Sequence, residues 1–378
     1  MRILITGAGG GGADPLVAEW RECHWDDMDG HTFVGVNSDP YILASSDIHP
    51  GYVVPDARKV TPMQYRHALA NIAVEEDIDL IIPNTYGEVD AMSGADLIGT
   101  DNYPGPFPLY MPYVGDIRRC QDKWLFWRWL KSEGLGWTLP ATFPVDALAA
   151  LPKVVDNLTW GLDLPPEAPL WLRARRGAGA YAATQVVGAS EALWWIKYHQ
   201  RHKGMKPSDF IISEYLPGRD IIVSMLWRKG RLLWLRSFEK CGYFEGASRP
   251  SGTSSTGIVD KAFYDESHFE LCRYIVSTLN PHAHGNWTLD WKQDAEGDWK
   301  LTECNIGRFI QGTLLFNRIP EQRDWLDAYL KAYSGWDFMD EPVWYDNTGW
   351  FTVRSVNRGL YLGKEEGLAD LKRIAETN

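Results

Sequence analysis

The chain of 378 residues predicts a mixed α/β and α+β protein: an open parallel α/β domain at the N-terminus, followed by a strand-rich region in two parts. Three observations carry this expectation. The first third alternates short apolar strands with helical segments, which favours a parallel sheet covered on both faces. A run of prolines (Pro144, Pro152, Pro165, Pro166, Pro169) then marks a change of composition. From Phe210 onward, the period-two alternation of strands dominates.

Taken in order, Arg2-Ile-Leu-Ile-Thr6 is a short apolar strand that runs into Gly7-Ala-Gly-Gly-Gly-Gly12 and then a helical pattern from Asp14 to about Arg21. Thr32 to Val36 forms a second strand ending near Asp39. The helical stretch Met63 to Glu76 precedes a third, Asp79-Leu-Ile-Ile-Pro83. Residues 1–115 are therefore expected to form the first domain. Ile117 to Glu133 carries Trp124, Phe126, Trp127 and Leu130 at helical spacings, and Gly134 and Pro140 close it. This helix opens a smaller unit, 116–209, which contains a strand at Leu170 to Arg173 and a glycine-rich turn. Residues 210–333 supply strands at Phe210–Glu214, Asp220–Trp227 and Arg231–Phe238, and a hairpin from Asn286 to Asn305. The segment 334–378 receives no role.

Composition narrows the function classes. A net charge of -12 opposes a broad electrostatic grip on nucleic acid or on an anionic membrane. The five cysteines (Cys23, Cys120, Cys241, Cys272, Cys304) are scattered and lack C-x-x-C spacing, so neither a disulfide framework nor a zinc site is expected, and a cytoplasmic location fits. The apolar run Ile3 to Ile5 is too short for a secretion signal, and no apolar stretch approaches the roughly 20 residues of a membrane helix. The 19 tryptophans are expected to serve mainly in packing.

Strand, glycine turn and helix at the N-terminus would suit a dinucleotide pyrophosphate. A glycine-rich loop alone is a weak signal, however, and the Tyr-x-x-x-Lys pair of a nucleotide-sugar epimerase is absent, since no Tyr has Lys four residues later.

The most informative stretch is Asn286-Trp-Thr-Leu-Asp-Trp-Lys292, a polar turn, and Trp299-Lys-Leu-Thr-Glu-Cys-Asn305. Thr288, Asp290 and Lys292 alternate with Trp287, Leu289 and Trp291, giving one apolar face. Centring the hairpin on Glu296 and Gly297 opposes Asp290 to Glu303 and Thr288 to Asn305. Directly opposed Cβ atoms lie about 4.5–5.5 Å apart, so two carboxylates there repel unless a cation compensates. Two carboxylates and an amide are oxygen ligands of the kind Mg²⁺ takes when phosphates complete its shell. Cys304, between two of them on the strand, should face away into the core.

Leu172-Arg-Ala-Arg-Arg-Gly-Ala-Gly-Ala-Tyr-Ala-Ala183 places Arg173 at a strand end before a loop of small residues, where backbone N–H groups can approach phosphate oxygens. Ile211-Ile-Ser-Glu-Tyr-Leu-Pro-Gly-Arg-Asp220 is a strand entering a bend whose backbone can pair with an adenine edge, with Asp220 able to accept from ribose hydroxyls.

Five segments in this order resemble the ATP-grasp ligases, most closely the branch similar to the carbamoyl-phosphate synthase large chain. They are Met1 to Gly12 with Asp79–Pro83 and Glu88; Asp122-Lys123; Leu172 to Ala183; Glu214 to Asp220; and Asp290 with Glu303-Cys-Asn-Ile-Gly-Arg308. They cover roughly residues 1 to 315. The resemblance implies an N-terminal domain followed by a two-subdomain ATP-grasp fold, the second subdomain carrying the metal hairpin. It implies ATP and Mg²⁺, or Mn²⁺, as cofactors. Lys123 and Arg173 would hold phosphates under a loop that includes Gly177 and Gly179. Glu214, Tyr215 and Leu216 would line adenine, and Asp220 the ribose. Asp290, Glu303 and Asn305 would bind the metal, and Arg308, with Arg173, would act at the reacting phosphate. Two features depart from the pattern: Arg173 stands where lysine is common, and Arg308 comes one residue late.

The activity implied is ligation of a carboxylate to an amine, or to a thiol, through an acyl-phosphate, with ADP and phosphate released. Glu88 could pair with an ammonium group and Arg249 or Arg308 with a carboxylate, which suits an amino-acid-like substrate. Small molecules are the expected partners, without nucleic acid or membrane, and a homodimer is open. The rival readings are an NAD(P)-dependent oxidoreductase or epimerase using the glycine loop, and a non-catalytic nucleotide-binding regulator. His282 and His284 precede the metal hairpin and could touch substrate, although a lone His-x-His is more often a local turn or a packed pair, and Arg236, Lys240 and the run Ser254-Ser-Thr-Gly257 resemble the family's region near the phosphates and acceptor substrate.

Overall fold

The computed structural model describes residues 1–23, 30–97, 100, 105–254, 256–310, 312, 316, 319, 324–336, 338, 343–355 and 359–364. Ser255 and much of the segment 334–378 lie outside the described residues.

Strands β1 (Arg2–Thr6), β2 (Thr32–Asn37), β3 (Gly51–Val53) and β4 (Leu80–Ile82) pair in parallel in the order β3-β2-β1-β4. They alternate with helices α1 (Ala13–Cys23), α2 (Pro40–Ala44), α3 (Pro62–Glu75) and α4 (Tyr86–Met92). The central strand β1 is apolar and buried from Ile3 to Ile5 because a parallel sheet has no solvent face. Helix α3 starts where Thr61 and Gln64 form a capping box with Pro62 in the first turn, an arrangement that satisfies otherwise orphaned N–H groups. The expected open α/β unit is present.

The long helix expected from Ile117 to Glu133 is two helices, α5 (Val114–Cys120) and α6 (Lys123–Ser132). The cause is Asp122, whose extended backbone and carboxylate, accepting from the N–H groups of Trp124 and Leu125, restart the helix. A side chain that caps locally competes with helix continuation.

A four-stranded antiparallel sheet follows in the order β5-β8-β6-β7, built from β5 (Thr142–Pro144), β6 (Pro169–Ala174), β7 (Thr184–Val187) and β8 (Phe210–Glu214). Helices α7 (Leu151–Gly161) and α8 (Gly188–Lys203) belong to this unit, and α8 ends at Gly204 in the left-handed conformation.

The largest sheet has seven antiparallel strands in the order β13-β12-β9-β10-β11-β14-β15. Its members are β9 (Asp220–Arg228), β10 (Arg231–Tyr243), β11 (Gly257–Ala262), β12 (Gly285–Gln293), β13 (Trp299–Ile306), β14 (Trp350–Ser355) and β15 (Gly359–Lys364). Two of these come from the stretch that received no role in the sequence: β14 pairs with β11, and β15 with β14. Trp287, Leu289 and Trp291 on one face of β12 join Phe269, Cys272, Ile275 and Val276 of α9 (Glu266–Leu279) in one apolar cluster. Burying each such large side chain contributes on the order of 1.5–3 kcal/mol. The four tryptophans Trp227, Trp234, Trp287 and Trp291 are fully buried, so packing is their role as expected, although Trp160 and Trp194 are largely exposed. No described helix is long and apolar enough to cross a membrane.

Candidate active site

With Trp287, Leu289 and Trp291 committed to the core, the alternation of β12 turns Thr288, Asp290 and Lys292 to the other face of the seven-stranded sheet. Adjacent strands repeat this, and the registers line up polar rows. Lys292 opposes Asp220, and Lys240 opposes Asp260. Lys240 Nζ also stands 3.8 Å from Asp220, so cations and carboxylates alternate across four neighbouring strands. Two residues further along β12, Asp290 opposes Glu303. Two further still, Thr288 opposes Asn305 on one side and Ser224 on the other. The hairpin thus has the expected register, with an irregularity only between Asp290 and Trp291.

Above this floor lies a cavity of about 320 Å³. Lys123, Arg173, Gly177, Gly179, Glu214, Tyr215, Leu216, Asp220, Asp290, Glu303, Asn305 and Arg308 all line it, so the structure brings these residues from five sequence segments together. Lys123 Nζ is 2.9 Å from Glu303 and donates to the carbonyl of Gly177 at 3.0 Å. Arg173 donates to the carbonyl of Thr302 at 2.8 Å and lies 3.9 Å from Glu303. The glycine loop therefore hangs from Lys123 while its strand touches the floor hairpin. Within the loop, Gly177, Gly179, Ala180 and Ala182 all have positive φ, which is costly for the alanines and marks a constrained turn. Asn305 donates to Asp290 at 3.0 Å and accepts from Arg308.

The electrostatics separate the two opposed carboxyls. Burial pushes Asp290 well above the usual carboxylate range, and the neighbouring Glu303 adds to this despite Lys240. Burial alone would raise Glu303 too, but Lys123 and Arg173 outweigh it and hold Glu303 well below that range. Burial favours the neutral form of Lys292 and lowers it, whereas for Lys240 the carboxylates Asp220 and Asp290 overcome burial and raise it. At the bend after β8, burial raises Glu214, and one of its carboxylate oxygens has no hydrogen-bond partner. Asp220 accepts from the Tyr243 hydroxyl at 2.6 Å. Among the described residues no group of three or more His, Cys, Asp or Glu side chains could hold a metal by itself.

Two expected substrate contacts are corrected. Glu88 is buried away from the cavity lining; its carboxylate accepts from the Thr6 hydroxyl at 2.6 Å and the Thr85 N–H at 2.9 Å as the return half of a capping box on α4. This carboxylate is engaged in holding the start of α4 rather than facing the cavity. Glu88→Ala is therefore expected to destabilise the fold by about 1–3 kcal/mol while leaving nucleotide affinity unchanged, which denaturant melts and titration calorimetry with MgADP would check. Arg249 is also outside the cavity lining. It clasps the glycine loop from outside, donating to the carbonyl of Gly179 at 3.0 Å with Glu245 at 3.8 Å.

His284 packs between Tyr110 and Tyr113, and burial lowers it to about 4. Cys304 is buried as expected. Lys292 and Tyr243, which carry no sequence motif of their own, also line the cavity. Lys292 was recoverable from its alternation with Asp290; Tyr243 was not, because β10 runs five residues past its expected end through an irregular register.

No family model matches the chain, and no curated protein matches it. Solved structures do. The biotin carboxylase domain of the Hydrogenobacter thermophilus 2-oxoglutarate carboxylase, solved as a dimer with MgADP, ADP and bicarbonate, is 14% identical with a TM-score of 0.64, over 93% of this chain and 73% of that one. An L-amino acid ligase from Bacillus licheniformis is 13% identical with a TM-score of 0.61, over 93% and 78%. N5-carboxyaminoimidazole synthetase from Staphylococcus aureus, complexed with ADP, is 14% identical with a TM-score of 0.60, over 93% and 81%. The chain has the fold these ligases share, the ATP-grasp fold.

Proposed function

We propose that this protein is an ATP-dependent ligase that activates a small carboxylic acid as an acyl-phosphate and passes the acyl group to an amine, releasing ADP and phosphate. The observation that carries the reading is the opposition of Asp290 and Glu303 on a cavity floor ringed by Lys123, Arg173 and Arg308. Phosphoryl transfer is achieved mainly by positioning and charge neutralisation, and these groups supply both. The bend from Glu214 to Leu216 would receive adenine, with Asp220 toward the ribose and Lys123, Arg173 and the loop from Gly177 around the phosphates.

Asp290, Glu303 and Asn305 fit Mg²⁺, because two opposed carboxylates and an amide offer hard oxygen ligands and need a compensating cation. The ion would supply charge neutralisation between the nucleotide's phosphates. Asn305 must then release Arg308, which frees that guanidinium for the acid's developing negative charge. Arg173, held by Thr302, steadies the phosphate from the opposite side.

The test is product identity. ADP release measured across a panel of carboxylates and amines should yield ADP and phosphate; AMP and pyrophosphate would show adenylate activation and refute the reading. A pH dependence accompanies it. Because burial and the neighbouring Glu303 raise Asp290, loading the cation displaces a proton, and Mg²⁺ affinity in the presence of ADP should rise with pH. For the metal-free protein the sign is opposite. A carboxyl raised in the folded state stabilises at low pH, and this contribution is lost as pH climbs from the ordinary carboxylate range through the raised folded-state value. Calorimetry in buffers of different ionisation enthalpy would detect the released proton.

A further inference from the structure

The glycine loop between β6 and β7 is tied at both legs to neighbouring helices. On the leading leg, Lys123 Nζ of α6 donates to the Gly177 carbonyl at 3.0 Å, and Asp122 pairs with Arg175 and Arg176. On the trailing leg, the Trp195 indole of α8 donates to the Ala182 carbonyl at 2.9 Å, and Tyr181 meets the His199 ring edge-on at 6.1 Å. The tip is reached from elsewhere. Arg249, on the loop between β10 and β11, donates to the Gly179 carbonyl at 3.0 Å, and among the described residues no other hydrogen bond joins these two loops.

The loop that carries Arg249 is folded on itself. The Phe244 N–H reaches the Thr256 carbonyl at 2.9 Å and closes the neck, while inside it the N–H groups of Ser248, Arg249 and Gly252 turn back to the carbonyls of Glu245, Gly246 and Arg249. A closed neck of this kind makes a compact surface loop and a fixed platform for a side chain. Glu245 stands 3.8 Å from the guanidinium's other terminal nitrogen. Thr253, Ser254 and Thr256 of this loop and Gly177 to Tyr181 of the glycine loop all line the cavity, so the two loops wall it together and one side chain bridges them. The Arg249 side chain is 39% exposed, so water competes for its bond, and such a bond contributes only modestly to stability. A tie that is single, exposed and at the tip can break and re-form while both legs stay in place.

We propose, resting on the ligase reading above, that Arg249 is a positioning residue that latches the glycine loop over the nucleotide's phosphates, and that breaking its bond to Gly179 gates the departure of ADP. Lid opening of this kind commonly limits product release. The base and ribose, held by groups outside the loop, do not depend on the latch.

The test uses the full chain and two rates. Limited trypsin digestion of the nucleotide-free protein reads the loop directly, because cleavage between Arg176 and Gly177 follows the population of the open loop. Arg249 precedes Pro250, a bond trypsin spares, so its replacement removes no cleavage site. Stopped-flow chase of N-methylanthraniloyl-ADP and Mg²⁺ by excess MgADP reads the gate. Arg249→Ala should speed both rates by roughly three- to tenfold and leave adenosine affinity unchanged, and Arg249→Lys, which keeps a donor, should recover part of the loss. Either rate unchanged in Arg249→Ala, or faster release accompanied by weaker adenosine binding, would overturn the proposal. If Arg249→Ala fails to fold, Arg249→Met, which keeps the length and loses the donors, decides in its place. Failure of MgADP to bind the unaltered chain would instead overturn the nucleotide reading, and digestion, which needs no ligand, would still decide whether Arg249 holds the loop.

Discussion

If the proposed function holds, Glu303→Gln is expected to lower ADP release by roughly a hundredfold or more, since removing the proposed metal ligand costs several kcal/mol of transition-state stabilisation. The substitution preserves shape and removes only charge. Lys123 at 2.9 Å and Arg173 hold Glu303 below the usual carboxylate range, whereas burial raises Asp290 above it. Without Glu303 the cavity floor keeps its cations but loses the carboxylate proposed to anchor a divalent ion. A modest loss of stability accompanies the change, because Lys123, almost buried, loses its partner. Thermal melts must show a folded variant, and near-normal ADP release from such a variant would refute the metal assignment.

Asp122→Ala is expected to destabilise the protein by about 2–4 kcal/mol, the largest stability effect among the site-supporting residues. Asp122 is 4% exposed and serves two elements at once. Its carboxylate caps α6 and also receives Arg175 through two hydrogen bonds, at 3.2 and 2.8 Å, while the N–H of Lys123 reaches the Arg175 carbonyl at 2.9 Å. Removing it leaves the Arg175 guanidinium without its carboxylate, with only the Ser208 carbonyl at 3.2 Å, and lets the start of α6, which carries Lys123, drift from the end of β6, which carries Arg173. Asp122→Asn keeps the cap and should cost less than half as much. Equal denaturation midpoints for the two variants would show that the cap contributes nothing and that the whole effect lies in the ion pair.

The hairpin was legible in the sequence because period-two alternation and a short polar turn fix register locally, and that alone sets Asp290 against Glu303. The division of the helix at Asp122 was half legible: the residue was recognised as opening a helix, yet the apolar spacing ran straight through it. Glu88 shows a different failure. Thr85-x-x-Glu88 is the signature of a capping box, and a carboxylate near a crevice looks the same whether it caps or binds. The strands β14 and β15 had no local signal strong enough, since their pairing depends on β11, about 90 residues earlier in the chain. Arg249 and Arg308 were indistinguishable as exposed-looking cations after strands; only the folded chain sets one outside the loop and one inside the cavity.

The contacts of Lys123 and Arg173 with Glu303 have a further consequence for affinity. In the nucleotide-free protein these cations are already satisfied by a carboxylate, so an incoming phosphate chain does not find bare charge but enters as a competitor. On the proposed ligase reading, binding would be an exchange of partners, in which phosphates displace Glu303 from its cations and the released carboxylate turns to the divalent ion that arrives with them. Nucleotide without a divalent ion would strand Glu303, and a divalent ion without nucleotide would have to pull it from Lys123. Each ligand thus removes the obstacle to the other, and the two should bind with positive cooperativity although they share a single site.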